Sequence, residues 1–211
     1  MKISVIMPSF LGTLDVEGAA SNRQQKFIRA VNSFLRQTHK DKEIIIISDG
    51  CNDTIRIVEN NYKKELKGGV IKLLKLEKHP PFTGIVRQRG IDISDGVIIT
   101  NLDSDDIYQS HHLQNIDVSF NTDKSDWVYF NNIVKPDGLD VTMFYQNVSP
   151  ELGKLCNANI AWRRDIDVTW TGCDGRHDNQ LFIKQLIDKY PRHKKIYGCG
   201  YEIHNIIIQK R

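Results

Sequence analysis

The feature that most constrains the fold of this chain is an alternation, in its first half, of apolar runs with amphipathic segments. Apolar, β-branched runs predict four strands, at residues 3–7, 43–48, 70–76 and 97–102. The second of these contains four consecutive isoleucines, which is typical of a strand buried on both faces. Each strand is separated from the next by a segment long enough to hold a helix.

Apolar residues spaced three and four apart predict the intervening helices, around residues 27–35, 55–62 and 84–93. Successive strand–helix–strand units imply parallel strands with helices on both faces of the sheet. The first half therefore predicts an α/β fold with a mainly parallel central sheet.

The second half is less regular. Its patterns predict strands at 127–134, 141–146 and 203–208, a turn at 136–138, and helices at 108–120 and 179–190. No linker rich in Gly, Pro or Ser divides the chain, so the prediction is a single domain spanning residues 1–211.

Composition excludes several classes of protein. The formal charge of +3 is small and its cations are scattered, which argues against a nucleic-acid binder. The four cysteines form no C-x-x-C pair, so neither a zinc site nor a redox dithiol is predicted. Without a signal-peptide pattern or a membrane-length apolar run, the expected location is cytoplasmic, for the whole protein or for a soluble piece of a larger one.

Three polar clusters follow predicted strands, at residues 8–10, 48–50 and 103–106. In open α/β sheets, ligands bind beyond the carboxyl ends of the strands, so these clusters are expected to share one site. The strongest is 103–106, where Asp103 and Asp105 could bind one hard cation that keeps positions open for phosphates. The alternative is a solvated turn that caps the next helix, and a second Asp-x-Asp at 165–167 shows that the pattern alone is weak.

Four segments then carry a resemblance to a family. Residues 3–10, 47–53, 86–91 and 102–106 are similar, in this order, to the motifs of family-two nucleotide-sugar glycosyltransferases, and the resemblance extends from residue 3 to about 186. It implies the GT-A fold, a Rossmann-like sheet flanked by helices, with a nucleotide-binding half (1–106) and an acceptor and catalytic half (107–211). Length and composition are also similar to those of glycosyltransferase domains from large algal viruses.

The resemblance implies a role for each matching position on the nucleotide side. Pro8, Ser9 and Phe10 would lie against base and ribose, and Asp49 would accept the uracil N3–H unless it is only a turn residue before Gly50. Arg87 would pair with base or phosphate, whereas Arg89 is expected to be a surface charge. Two positions depart from the family pattern, Ser48 for an acid and Gln88 for Asn, and neither removes a metal ligand.

The acidic turn would hold both nucleotide and metal. Asp103 and Ser104 are assigned to the nucleotide, with Asp103 also near the metal, and Asp105 is the direct metal ligand. Asp106 either assists or caps the next helix. His204 is the candidate third metal ligand, which would favour Mn²⁺ over Mg²⁺, unless it is an edge-strand residue without function.

On the acceptor side, Asp178 aligns with the catalytic base of the family, and His177 replaces the usual neighbouring acid. A carboxylate there could deprotonate an acceptor hydroxyl, and it could equally cap the helix that follows. Candidates for the sugar and acceptor pocket are Asn157, Asn159, Trp162, Arg163 and His177, although Trp162 fits a core position as well.

The sequence therefore favours a metal-dependent glycosyltransferase that uses a UDP-sugar, with GDP or dTDP less favoured, and a glycan or other hydroxyl acceptor. Inversion is expected if Asp178 is the base, and the replacement of the family's acid by His177 leaves a retaining outcome as the alternative. One rival is a non-catalytic nucleotide-sugar binding module. A sugar-1-phosphate nucleotidyltransferase would need a Gly-rich loop after the first strand, and residues 9–13 contain one glycine. A dinucleotide-linked dehydrogenase is excluded by the lack of a G-x-G-x-x-G motif.

Overall fold

A central sheet organises the molecule in the computed structural model, which describes residues 1–12, 22–80, 84–135, 144–175 and 177–204. In these ranges seven strands are ordered β10-β6-β9-β4-β1-β2-β3, and all are parallel except β9. The strands are β1 (Ile3–Ser9), β2 (Lys42–Asp49), β3 (Ile71–Leu76), β4 (Ile98–Asn101), β6 (Trp127–Tyr129), β9 (Ile160–Arg163) and β10 (His193–Lys195). This confirms the predicted α/β class and the mainly parallel sheet.

A smaller second sheet has the order β5-β11-β7-β8. Its strands are β5 (Ile107–Tyr108), β7 (Asn132–Val134), β8 (Phe144–Gln146) and β11 (Tyr201–Ile203). The single strand predicted at 127–134 is therefore wrong, because the chain leaves the first sheet after Tyr129 and enters the second at Asn132. Of the strand predicted at 203–208 only the start is described, and the turn predicted at 136–138 lies outside the described residues.

The helices are α1 (Arg23–Leu35), α2 (Asn52–Asn61), α3 (Lys63–Lys67), α4 (Gly84–Asp92), α5 (His112–Thr122) and α6 (Asp178–Lys189). No helix in the described part of the chain is long and apolar enough to cross a membrane. The helix predicted from residue 108 begins four residues later, because Tyr108 pairs with Tyr201 in the second sheet.

The four isoleucines of β2 show how the core is divided. Ile44 and Ile46 pack into the cluster beneath α1, α2 and α5, whereas Ile45 and Ile47 pack into the cluster with α4 and α6. All four are fully buried, and each contributes about 1.5–3 kcal/mol by leaving water. The run of isoleucines thus fixes β2 as a central strand covered on both faces.

Strand β1 continues through Pro8, which pairs with Ile47 of β2. The sequence predicted that Pro8 would end the strand. Pro8 shares the orientation of Ile6, whose carbonyl accepts the Leu102 N–H on the β4 side. The pairing with β4 ends at Asn101, so the N–H that proline lacks has no strand partner to lose there.

Candidate functional site

The three predicted polar clusters meet at one edge of the sheet. Ser9 pairs with Ser48 at the carboxyl ends of β1 and β2, and Asp103 follows the end of β4, the other neighbour of β1. The placement follows from parallel pairing, because strands that run in one direction end at the same edge. This edge is the candidate site.

Asp49 lies in a group of residues from three loops. Its Oδ2 accepts a hydrogen bond from Lys78 Nζ at 2.6 Å, and its Oδ1 accepts the His79 backbone N–H at 2.8 Å and lies 3.0 Å from His79 Nδ1. The Lys78 ammonium also sits 4.3 Å from the centre of the Phe10 ring. Gly50, at φ +64°, lets the chain turn sharply here, and a Cβ at this position would collide with Lys78.

The departure at Ser48 has a local structural role. The Ser48 hydroxyl donates to the Cys51 carbonyl at 2.7 Å and accepts the Cys51 N–H at 3.2 Å. A buried serine thus closes the turn that presents Asp49, and no acid is needed at this position.

Arg87 connects the nucleotide side to the acceptor side. Its guanidinium donates to Asp103 Oδ1 at 3.1 Å and lies 5.1 Å from the centre of the Trp170 ring. Trp170 is fully buried and stacks on Phe182 of α6, with ring centres 4.2 Å apart. Arg89 is exposed, as predicted.

The departure at Gln88 strengthens this arrangement. The Gln88 Oε1 accepts hydrogen bonds from the Thr169 hydroxyl and from the Trp170 N–H, both at 3.0 Å. Helix α4 is therefore attached directly to the segment that holds Trp170 under the Arg87 side chain.

The acidic turn 103–106 concentrates negative charge. Asn157 donates to both carboxylate oxygens of Asp103, at 3.1 and 3.4 Å. Burial, and then the charge of Asp103, raise the pKa of Asp105. Burial, and then the charges of Asp103 and Asp105, raise the pKa of Asp106 further. The turn thus contains carboxylates whose charge the surrounding protein does not fully neutralise.

Asp106 does not cap helix α5, which has His111 at its N-cap position. Its Oδ2 accepts the Tyr201 hydroxyl at 3.0 Å, and its Oδ1 accepts the His204 backbone N–H at 2.9 Å. The capping alternative is therefore wrong, and Asp106 connects the acidic turn to β11 instead.

His204 is buried, and its Nε2 lies 3.2 Å from Glu202 Oε2. Within the described ranges, no three His, Cys, Asp or Glu side chains come together as a metal site. The predicted set of Asp103, Asp105 and His204 is thus not assembled into one cluster, and its metal role stays a prediction. Carboxylates with raised pKa values beside an open edge nevertheless fit a divalent cation, because oxygen donors of this kind are what Mg²⁺ and Mn²⁺ bind.

Asp178 is the first residue of α6 and is buried. Its Oδ1 accepts the N–H of the adjacent Asn179 at 2.7 Å. Burial raises the pKa of Asp178, and the nearby Arg87 charge opposes this rise. His177, its exposed neighbour, occupies the N-cap position without a side-chain capping bond, so the N-cap alternative for Asp178 is wrong. The buried Asp178 carboxylate, with its raised pKa, lies near the Arg87 charge instead.

Three predicted pocket residues are placed elsewhere. Because β9 runs antiparallel to β4, Arg163 lies beside Ile98, at the edge opposite the site, and donates to the Ser125 and Phe120 carbonyls. Trp162 is 2% exposed and packs on Phe182 in the core. Asn159 is buried and closes the 3₁₀ turn Asn157–Asn159 by accepting the Cys156 N–H. Of this segment only Asn157 contacts the acidic turn.

Sequence reasoning missed several contributors, namely Lys78, His79, Trp170 and Tyr201. Lys78 and His79 directly follow the third predicted strand, so the same edge rule could have identified them. Trp170 and Tyr201 lie in segments with no strong periodic pattern, and their positions depend on tertiary packing.

Comparison with solved structures shows the same fold elsewhere. The chain aligns with Staphylococcus aureus TarS 1–349 in complex with UDP at a TM-score of 0.74 and 20% identity, covering 97% of this chain and 60% of that one. The complex of the same protein with UDP-GlcNAc aligns at a TM-score of 0.72 and 19% identity, with 99% and 60% coverage.

Two curated bacterial relatives match about half of the chain. The poly(ribitol-phosphate) beta-N-acetylglucosaminyltransferase TarP of Staphylococcus aureus is 32% identical over 120 residues, which are 54% of this chain and 32% of that protein. The GalNAc(5)-diNAcBac-PP-undecaprenol beta-1,3-glucosyltransferase of Campylobacter jejuni is 30% identical over 105 residues, or 50% and 30%. The chain thus spans about a third of these relatives, and its similarity to algal-virus domains stays a prediction.

The family model for glycosyl transferase family 2 matches residues 19–190, most of the chain, including α4, the acidic turn and the start of α6. Together with the GT-A architecture of the structural neighbours, this match shows that the chain belongs to glycosyl transferase family 2.

Proposed function

We propose that this chain transfers a sugar from a UDP-sugar to an acceptor hydroxyl, with the diphosphate and a divalent cation held at the 103–106 turn. The observation that carries the proposal is the convergence of Asp49, Arg87 and Asp103 at one edge of the sheet, with the buried carboxylate of Asp178 near Arg87. The UDP and UDP-GlcNAc complexes of the TarS neighbour support the choice of donor.

The Asp49 group supports recognition of a uracil-type base. The backbone N–H and the ring Nδ1 of His79 both contact Asp49 Oδ1, whereas Oδ2, among the described residues, accepts a hydrogen bond from Lys78 alone and keeps further acceptor capacity. An acceptor beside the Lys78 ammonium complements the N3–H of uracil and a carbonyl next to it. Cytosine presents a bare ring nitrogen at that position, which cannot donate a hydrogen bond to Asp49. Pro8, Ser9 and Phe10 at the end of β1 would adjoin the base and ribose.

On the diphosphate side, Asp103 and Ser104 would contact the nucleotide and Asp105 would bind the cation, Mn²⁺ or Mg²⁺. One or two carboxylates together with substrate phosphates form a common binding set for Mg²⁺. His204 could complete that set for Mn²⁺, because its contact with Glu202 is of the kind that orients metal-binding imidazoles. A cation there would neutralise the charge that develops on the departing diphosphate.

Asp178 would act as the general base. Its burial raises its pKa and so makes it a better proton acceptor, and Arg87 keeps the ionised form accessible. Proton transfer from the acceptor hydroxyl to Asp178 as that oxygen attacks the anomeric carbon gives a single displacement with inversion. His177 is exposed beside it, where it could contact the acceptor.

The Asp178→Asn substitution separates a transferase from a non-catalytic binding module. We expect kcat for sugar transfer to fall by about 10²–10⁴-fold, while the affinity for the UDP-sugar changes less than about twofold. Release of UDP reports turnover, and calorimetry reports binding. Asp188→Asn, on the exposed face of the same helix, is the matched control and should leave kcat unchanged.

Donor binding without turnover by the wild-type chain, across UDP-sugars and hydroxyl acceptors, would favour the binding module. Formation of a nucleotide-sugar from UTP and a sugar phosphate would instead indicate a nucleotidyltransferase.

A further inference from the structure

Strand β11 brings a buried tyrosine under the acidic turn. It pairs antiparallel with β5, with Tyr201 opposite Tyr108 and Glu202 opposite Ile107, directly after the turn. Tyr201 is fully buried although its side chain ends in a hydroxyl. Such a hydroxyl needs hydrogen-bond partners, and both of its partners belong to the 103–106 turn.

The Tyr201 hydroxyl binds the two ends of this turn. It accepts the Asp103 backbone N–H at 3.0 Å and lies 3.0 Å from Asp106 Oδ2. An N–H can only donate, so the tyrosine oxygen accepts from Asp103 and its own proton is directed at Asp106. One oxygen atom thus bridges the first and last residues of the turn, which the Asp106 N–H also joins by donating to the Asp103 carbonyl at 3.1 Å.

The hydroxyl itself is held firmly in place. The Tyr201 ring packs edge-on against Tyr108 at 5.5 Å and against His112 at 6.2 Å. The His204 backbone N–H, directly after the end of β11, donates to the other oxygen of Asp106 at 2.9 Å. Both Asp106 oxygens are thus bound by β11 and the residue that follows it, which couples the position of the turn to that strand.

We propose that Tyr201 is a positioning residue, which fixes the backbone of the 103–106 turn so that Asp103 and Asp105 are presented together to a diphosphate and its divalent cation. This rests on the proposed function. Tyr201 would touch neither donor nor cation and would act only through Asp103 and Asp106. Loss of its hydroxyl should therefore affect the cation-dependent part of nucleotide binding and spare the base contacts at Asp49.

The test compares Tyr201→Phe with Tyr62→Phe. The control also removes one hydroxyl from a buried tyrosine. The Tyr62 hydroxyl, at the end of α2, donates a hydrogen bond to Asn32 Oδ1 of α1 at 3.3 Å. UDP affinity is measured by calorimetry twice, with Mn²⁺ and with a chelator. The deciding quantity is the ratio of the UDP affinity in Mn²⁺ to the UDP affinity in chelator. A general loss of stability would lower both affinities and leave this ratio unchanged.

We expect Tyr201→Phe to lower the Mn²⁺-dependent gain in UDP affinity about tenfold, as befits the loss of one or two hydrogen bonds, and to leave affinity in chelator unchanged. Tyr62→Phe should match the wild type in both conditions. The positioning role would be overturned, while the proposed function stands, by either of two results. In one, Tyr201→Phe keeps the full Mn²⁺-dependent gain in UDP affinity; in the other, its UDP affinity falls equally in Mn²⁺ and in chelator. A wild-type chain that does not bind UDP would overturn both.

A second measurement needs no variant. Because its N–H is bound by a fully buried hydroxyl, the Asp103 amide should exchange with deuterium at least about a hundredfold more slowly than the Gly172 amide, which lies in an exposed turn and donates no hydrogen bond to the described residues. Exchange of the two amides at similar rates would contradict the fixed turn.

Discussion

The pKa values of buried carboxylates are shifted in opposite directions at the two edges of the central sheet. At the amino edge, Glu43 is fully buried, yet its carboxylate meets the Ser4 hydroxyl, the Asp95 N–H and the ammonium groups of Lys2 and Lys72. Burial works to raise the pKa of Glu43, but these partners outweigh it and hold the pKa below its ordinary value. At the carboxyl edge, the pKa values of Asp105, Asp106 and Asp178 are all raised.

The difference separates structural charge from functional charge. The protein neutralises Glu43 with its own groups, so that edge contributes to stability. At the other edge, burial and mutual repulsion disfavour the charged forms of Asp105 and Asp106, which costs stability in the free protein. Clustered acids with perturbed pKa values are typical of functional sites.

The largest expected effect is on activity at the carboxyl edge. Asp105→Asn removes the proposed direct cation ligand, so sugar transfer should fall by about 10²–10³-fold, as when one electrostatic stabiliser of a transition state is lost. The free energy of unfolding, measured in urea without metal, should rise or stay constant because repulsion is removed. Asp165→Asn, in the second Asp-x-Asp of the chain, should change neither quantity. A clear loss of stability in Asp105→Asn would contradict the contrast between the edges.

The next effect is on stability at the amino edge. Glu43→Gln should lower the free energy of unfolding by about 1–3 kcal/mol, because buried donors lose their charged acceptor. UDP affinity should be unchanged.

The Glu43 contribution also has a defined pH dependence. Since the folded pKa is depressed, this stability is present above the ordinary value of 4.5 and is lost as the pH falls through the lower folded pKa. The free energies of unfolding of wild type and Glu43→Gln should therefore converge as the pH falls below 4.5. A difference between the two that stays constant over the whole acid range in which the protein folds would show that the Glu43 charge does not stabilise the fold.

The smallest effect concerns base recognition. Lys78→Met should weaken UDP binding about five- to tenfold, because it removes a donor beside Asp49 and a cation above Phe10. The matched control is Lys75→Met, near the end of β3, the strand that precedes Lys78. It breaks an exposed ion pair with Glu59. Equal affinities of the two variants for UDP would exclude Lys78 from the base site.

The parallel sheet and its ligand-binding edge could be predicted because local patterns determine them. The isoleucines of β2 predicted a central strand, and the acids after β4 followed from chain direction alone. Arg163 shows the limit of this reasoning. Its place depends on β9 running antiparallel, which no local pattern encodes, and this reversal carries it to the opposite edge.

Long-range contacts explain what else the sequence could not predict. Asp106 was expected to assist the metal or to cap a helix, and its actual partners lie nearly a hundred residues later in the chain. Lys78 follows β3 at the same edge, so chain direction could have identified it, but its pairing with Asp49 is a long-range contact. Trp162 could fit core or sugar pocket by residue type, and only the pairing of β9 with β4 and β6 assigns it to the core.

The central claim is that the carboxyl edge binds a nucleoside diphosphate through its unneutralised acids and a divalent cation. The most direct test is calorimetric titration of UDP into the wild-type chain with Mn²⁺, with Mg²⁺ and with a chelator. We predict one binding site per chain, with affinity at least about tenfold higher in Mn²⁺ than in chelator. No binding of UDP in any of the three conditions would contradict the claim.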